Sequence, residues 1–443
     1  MSSSGKGGYR GAGLDFLTSR EISVGDSIVV QTDDVELTGV VMPRYESASE
    51  EYIAIKLKSG YNTGVKISKI RSISRVAAAH SETVSRTATV TENESLPRIA
   101  LISTGGTIAS KIDYRTGGVK AALSAADLYS SVPELAQIAN VDTEVLMSEY
   151  SENLNPGHWT LMARRIGEKV RSGDYAGIVI SHGTDTMHYT ASALSFALKG
   201  LPVPVVLVGA QRSSDRPSSD AALNLTGAVS FASKSEVAGV FVAMHAGTSD
   251  DAIAIHIGTR VRKNHTSRRD AFESIDTTPV ALVRDEKIAM QDSGFKLQSR
   301  SKNFDIEPRP SFDSRVLLLK YYPGLDFKLV EHATSAGYRA IVLEGTGLGH
   351  VNRDSFPYLK SAISSGLAIF MTSQCIWGRV RMTVYDTGRD LMDLGVVPLS
   401  DMIAETATVK AMWGLANTDG MDRFTDLMQG NLANEISEAL PIG

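Results

Sequence analysis

The chain has 443 residues, 42% of them hydrophobic and 21% charged, with a formal net charge of −5. That length exceeds one typical domain and the composition is that of an ordinary globular protein, so two or more domains are expected. The mild acidity excludes a chain-wide basic field for nucleic acid, the single cysteine, Cys375, excludes an intrachain disulfide framework or a Cys-based metal cluster, and without a run of about 18 apolar residues no membrane-spanning helix is expected.

The first residues, Met1 to Gly8, lack the apolar core of a signal peptide, and residues 1–20 are expected to be disordered. A lone cysteine fits a reducing, cytoplasmic location. Residues 21–75 read as a small β module. Val24–Val30 and Leu37–Met42 are short β-branched runs, Tyr52–Lys58 alternates apolar with polar, and Ser59–Asn62 supplies a turn. Several strands in so short a stretch suggest a barrel of SH3 or Sm-like type. From 76 to 97 the composition turns to Ala, Ser, Thr and Glu without periodicity, the character of a linker.

After Pro97 the apolar run Ile99–Ile102 ends in Ser103-Thr104-Gly105-Gly106-Thr107-Ile108-Ala109. Such a run reads as a buried strand, and the glycines let the backbone turn sharply beside a ligand. Thr104 is thereby placed at the carboxyl end of a strand, where open α/β sheets hold their ligands. A helix is expected at 124–139, capped by Ser124 with Asp127 three residues on, and another at 156–171, with Pro156 in its first turn and Lys169 and Arg171 in its last. The strand at 177–181 then runs into His182-Gly183-Thr184-Asp185-Thr186, repeating the first design. A helix at 186–198 and a strand at 203–208 follow. This alternation implies a doubly wound, largely parallel sheet in a domain spanning 98–290. Regularity lapses from about 280 to 313, with 291–313 read as an inter-domain linker. A second α/β unit, 314–443, begins at Arg315–Leu319 and continues through Ala340–Glu344 and Ala368–Thr372.

A threonine hydroxyl is a weak nucleophile until a base or a favourable field takes its proton. For Thr104 the competing reading is a phosphate-cradling turn, although the stretch has neither the Gly-Lys-Ser/Thr of a P-loop nor dinucleotide-fingerprint spacing. Asp185 can cap the following helix, bind the ammonium of an amino-acid substrate, or do both. The candidate base is Lys263, in Arg260-Val261-Arg262-Lys263-Asn264-His265-Thr266-Ser267. Burial and the neighbouring cations Arg260 and Arg262 are expected to lower its pKa. His182, His188, His245, His256 and His265 have no metal-ligand spacing, and no metal is expected. His182 is read as shaping the turn. A Gly-x-Ser-x-Gly elbow is absent.

Together these segments resemble the asparaginase/glutaminase family over about residues 98–420. The stretch Thr104–Ala109 is similar to its first signature, whose leading threonine is the nucleophile. His182–Thr186 is similar to the second, whose Thr-Asp pair forms a triad with a distant lysine; Lys263 stands where that lysine belongs, with Asn264, Thr266 and Phe272 in compatible places. The resemblance also implies a loop tyrosine at Tyr114, substrate contacts at Ser151 and Glu152, and backbone contacts at Gly105 and Gly183. Near Gly347-Leu348-Gly349-His350 the chain departs from relatives that carry asparagines approaching a neighbouring subunit's site. Within the family, Gly209–Asp220, Tyr321–Gly324, Met42–Glu46 and Gly60–Asn62 resemble the GatD subunits of archaeal glutamyl-tRNA(Gln) amidotransferases.

That resemblance implies an asparaginase-like doubly wound α/β sheet plus a smaller C-terminal α/β domain, preceded by a small all-β barrel. It implies a glutaminase whose ammonia a GatE partner uses to convert Glu-tRNA(Gln) into Gln-tRNA(Gln). No cofactor is implied for amide hydrolysis, and ATP and Mg2+ serve the partner. It further implies a homodimer within an α2β2 assembly, with tRNA(Gln) held mainly by the partner. Weak glutaminase activity without the partner is expected, with coupling through closure of the loop 113–118 around Tyr114. Two rivals stand beside this reading. One is a free-standing cytosolic L-asparaginase. The other is a non-catalytic tRNA-handling subunit binding through Lys56, Lys58, Lys66, Lys69 and Arg71.

Overall fold

The computed structural model describes residues 8–42, 44, 49–57, 62–76, 93–105, 110–113, 118–121, 132–212 and 219–438. The strands Ser27–Thr32, Glu36–Val41, Tyr52–Leu57, Asn62–Lys66 and Ile70–Arg75 form a five-stranded antiparallel meander, with the first strand pairing both the second and the fifth. Ile28, Val30, Val41, Ile53 and Ile55 fill its interior. Residues 8–20 depart from the disorder expected of them. Gly11–Thr18 is a helix that buries Leu17 on this module. Its glycine-rich start masks the short apolar stripe that docks it.

Tyr9, also buried, ties this segment to the barrel: its hydroxyl donates to the Met42 carbonyl (2.9 Å) and accepts from the Ala54 N–H (2.9 Å). Tyr9→Phe strands the buried Ala54 donor, so it is expected to destabilise the module by about 1–3 kcal/mol. Thermal unfolding of the variant checks this. Two of the five cations considered for tRNA contact are already engaged, Lys66 with Glu51 and Arg71 with Asp33. Lys58, the Ser59–Tyr61 turn and 77–92 of the linker lie outside the described residues.

The central sheet has nine strands. Across it run Lys287–Met290, Ala281–Arg284, Ile253–Ile257, Val237–His245, Pro204–Val208, Gly177–Ser181, Arg98–Gly105 and Asn140–Glu149, with Gln298–Ser299 paired to one side of Val237–His245. The five strands from Val237–His245 to Asn140–Glu149 pair in parallel; the remainder are antiparallel. Helices Pro156–Arg171 and Met187–Ala197 cover one face and Ala221–Lys234 the other. Pro156–Arg171 forms as its sequence predicts: Asn155 caps it, and Trp159, Met162, Ala163, Ile166 and Val170 make one buried stripe.

Two stretches differ from expectation. At 124–139, Ser124 and Asp127 lie outside the described residues, and Pro133–Gln137 is a 3-10 turn opened by its proline, followed by the edge strand Asn140–Glu149. Polar residues hide that strand in the sequence: Asp142 and Glu144 face outward to Arg98 and Arg165. In the region read as irregular, Ala281–Arg284 and Lys287–Met290 form a hairpin turning on Asp285 and Glu286 at φ of 46° and 61°. Neither glycine nor asparagine signals that turn. The smaller domain carries a four-stranded parallel sheet, Val316–Lys320, Ala340–Gly345, Ala368–Ser373 and Val397–Pro398. Helices Lys328–Ser335 and Phe356–Ser364 pack on one face, Ala404–Asn417 and Met421–Gln429 on the other. No helix among the described residues is long and apolar enough to cross a membrane.

Candidate active site

The chain leaves Arg98–Gly105 for the edge strand Asn140–Glu149 on one side, then crosses to Gly177–Ser181 on the other and continues away from it. The two strands that carry the paired motifs therefore flank the point where the strand order reverses, and the crevice beyond their carboxyl ends is the natural ligand position. Their register sets Ser103 beside Ser181, so Thr104 and the His182–Thr186 turn emerge side by side. Thr104 is buried at 1% exposure and its hydroxyl donates to the Ser181 carbonyl at 2.9 Å. Gly105 adopts φ of 119°, and a Cβ there would lie 2.2 Å from the Glu149 carbonyl oxygen. Only glycine fits that turn.

The Lys263 amine donates to the Thr184 hydroxyl at 2.8 Å and to the Asp185 carboxylate at 2.6 Å. Residues 79 and 78 positions apart in the chain are thus joined. The Lys263 side chain is 8% exposed, far from the solvated state usual for a lysine in a basic run, whereas the Asp185 side chain is 68% exposed and open to a ligand. The expected pressure from neighbouring cations is corrected by the structure: Arg260 pairs with Asp401 and Arg262 with Glu405, each at 2.7 Å, so both charges are neutralised. Lys263 sits on the short strand Val261–Lys263, held by a hairpin that sets it opposite Phe272.

Ser151 is buried, and its carbonyl accepts from the Thr186 hydroxyl at 2.7 Å. A Cβ on Gly183 would lie 2.8 Å from the Ser151 Cβ, so the two loops touch. Glu152 is exposed beside it. Tyr114 lies outside the described residues.

Sequence reasoning read His182 as shaping the turn and missed the rest of the layer behind these groups. His182, fully buried, meets the Gly183 carbonyl through Nδ1 (2.6 Å) and the Thr190 hydroxyl through Nε2 (2.9 Å), while Trp159 Nε1–H donates to Thr190 (3.1 Å). A carbonyl facing Nδ1 fixes the hydrogen there, leaving Nε2 to accept from Thr190. Gly209 closes the other flank, where a Cβ would lie 2.8 Å from the Thr184 methyl. Asn224 holds the Gly209 carbonyl at 2.9 Å. The signal for this layer was present only as unassigned buried polar residues in apolar helices.

Burial pushes the pKa of His182, His188 and His256 from 6.5 down to about 4. The folded protein holds these rings neutral while the unfolded chain protonates below about 6.5. Their contribution to stability is complete above that pH and is lost as the pH falls toward 4. The unfolding temperature is expected to drop across this window, and His256→Asn to flatten the drop; a pH series of thermal melts reads both. Among the described residues no group of three or more His, Cys, Asp or Glu side chains converges as a metal site.

Three family models match the chain. An asparaginase N-terminal model matches residues 98–294, a glutaminase/asparaginase C-terminal domain model 315–428, and a GatD N-terminal domain model 22–76. The chain is 44% identical to the GatD subunit of glutamyl-tRNA(Gln) amidotransferase from Sulfolobus acidocaldarius, over 97% of this chain and 95% of that protein. The corresponding GatD of Pyrococcus abyssi is also 44% identical, over 96% and 97%. Among solved structures, the thermostable L-asparaginase of Thermococcus kodakarensis is 32% identical with a TM-score of 0.66, covering 77% of this chain and 100% of that one.

Proposed function

Because the chain belongs to the GatD family of glutamyl-tRNA(Gln) amidotransferase subunits, built on the asparaginase/glutaminase fold, we propose that it hydrolyses glutamine to glutamate and ammonia for the amidation of Glu-tRNA(Gln). The observation that carries the chemistry is the Lys263 amine bridging Thr184 and Asp185 in the crevice next to Thr104. Thr104 attacks the carboxamide carbon. The tetrahedral intermediate collapses to a Thr104 acyl ester as ammonia departs with the transferred proton, and water then releases glutamate. The Thr184–Lys263–Asp185 relay moves the proton, with Tyr114 as the loop-borne alternative. Backbone N–H groups at Gly105 and at Gly183–Thr184 serve the oxyanion, a contribution of about 3–4 kcal/mol per donor in other hydrolases. Asp185 takes the substrate ammonium, and Ser151 and Glu152 contact its amino-acid end. No cofactor takes part in this hydrolysis.

The partner is a GatE-type subunit that uses ATP and Mg2+ to activate Glu-tRNA(Gln) and holds the tRNA, in a cytoplasmic α2β2 assembly. Homodimerisation through the asparaginase-like part is supported by the exposed Tyr322, Ile376, Trp377, Val384 and Tyr385 around the carboxyl edge of the smaller sheet. Such a set of apolar side chains suits an interface. The functional division follows three units, 21–75, 98–290 and 314–443. A free-standing L-asparaginase fits less well, since the asparaginase structure matches 77% of the chain while a GatD model accounts for the front module. The test is ammonia release from glutamine and from asparagine, by the chain alone and with its partner and Glu-tRNA(Gln). Partner-stimulated glutamine hydrolysis supports the proposal; strong partner-independent asparagine hydrolysis establishes the asparaginase.

A further inference from the structure

The strand that delivers Lys263 alternates between two domains. Val261 is buried in the larger domain's core and Lys263 reaches Thr184. Arg260, just before the strand, and Arg262, between these two residues, go the other way. Arg260 Nη2 donates to Asp401 at 2.7 Å with both side chains fully buried, and Arg262 Nε donates to Glu405 at 2.7 Å. The hydroxyl of Thr406 donates to the Thr259 carbonyl at 2.9 Å and lies 2.9 Å from that of Ser192. Residues 259, 260 and 262 are therefore each tied to the segment 401–406, which leads into helix Ala404–Asn417 of the smaller domain. Glu405 stands in the first turn of that helix, where the backbone N–H groups favour a carboxylate. Its side chain is 12% exposed, and Arg262 also donates through Nη1 to Asn264 at 3.2 Å, bracketing Lys263 from both sides.

We propose that Glu405, acting through Arg262, is a positioning residue for Lys263, so that the smaller domain sets the geometry of the proton relay in the larger one. An amine that must meet a hydroxyl and a carboxylate within hydrogen-bonding distance tolerates little displacement, since a shift of about 1 Å can lower a rate by up to about a hundredfold. The two-stranded hairpin with Phe272–Ser274 holds the backbone of Lys263 on one side only, and it is a ribbon of three residues per strand. The Arg262–Glu405 pair adds a hold directly beside it, and the buried Arg260–Asp401 pair anchors the strand entrance.

This inference rests on Lys263 being the relay base, so the test separates the two. In the assembled complex with partner and Glu-tRNA(Gln), kcat and KM for glutamine are measured for Glu405→Gln, Arg262→Gln, the charge-reversed pair Arg262→Glu/Glu405→Arg, and Lys263→Met, with thermal unfolding run in parallel. Each single variant is expected to lose about tenfold or more in kcat while KM stays within about threefold, and the reversed pair to regain most of the loss. A Glu405→Gln complex with unchanged kcat, beside an inactive Lys263→Met complex, overturns the positioning role and leaves the site reading intact. So does a loss in the single variants that tracks lowered unfolding temperature and is not regained by the reversed pair. An active Lys263→Met complex overturns the site reading itself.

Discussion

Lys263→Met lowers glutamine-dependent ammonia release by about a thousandfold, with Thr104→Ala at least as severe. The methionine keeps the length and apolar stem of the lysine while removing its three hydrogen-bond donors. Thr184 then loses the amine it is paired with, and the Asp185 carboxylate loses its cation. Thr104 has a different dependence. Its hydroxyl is held by the Ser181 carbonyl of the neighbouring strand, so alanine removes that hydroxyl and the γ-methyl at the carboxyl end of the strand and leaves the strand pairing untouched. Both variants are expected to fold and to retain glutamine binding, because neither residue belongs to a hydrophobic core cluster. Steady-state ammonia assays with equilibrium binding measure both halves of that statement. A Lys263→Met enzyme within about tenfold of the parent is not reconcilable with general acid–base work by this amine.

Glu435→Ala produces the largest loss of stability of any single change considered. Lys410 and Glu435 form an ion pair at 2.6 Å with both side chains fully buried. The amine also donates to the Met428 and Gly430 carbonyls, and the carboxylate accepts the backbone N–H groups of Leu432 (2.9 Å) and Ala433 (2.6 Å). Burial presses the Lys410 pKa down and Glu435 opposes it. Removing the carboxylate leaves a buried cation without compensation and two donors unmet, a destabilisation of about 3–5 kcal/mol. The loss is expected in the transition of the smaller domain, where residues 431–438 fold back over helix Ala404–Asn417. Replacing both partners, Lys410→Met/Glu435→Leu, removes the stranded charge and is expected to recover most of that stability, which calorimetry of the three proteins resolves. A Glu435→Ala protein melting with the parent contradicts the buried pair.

Much of this architecture was legible in the chain because hydrophobic period and glycine placement speak locally. The run Ile99–Ile102 and the run Gly177–Ser181 are strands because they are apolar throughout, and Pro156–Arg171 is a helix because Asn155, Pro156 and a clean stripe agree. Thr104, Thr184, Asp185 and Lys263 were legible only through paired motifs and a family resemblance; it is the chain's topology that joins Lys263 to Thr184 across 79 positions. What stayed hidden shares a physical cause. The edge strand Asn140–Glu149 and the hairpin at Asp285–Glu286 owe their form to partners far along the chain, and Gly11–Thr18 to a barrel it covers. The neutralisation of Arg260 and Arg262 by Asp401 and Glu405 is likewise a contact between domains, invisible to any reading of the basic run alone.

The central claim is that this site frees ammonia from glutamine for amidation of a tRNA-bound glutamate. Its most direct measurement supplies glutamine labelled with 15N at the amide to the reconstituted complex and reads the label in the glutaminyl group of the tRNA. The parent complex is expected to transfer the label, and the Thr104→Ala complex to amidate the tRNA only when an ammonium salt is added. Label transfer undiminished by Thr104→Ala, or label appearing as free ammonia and never on the tRNA, contradicts the account.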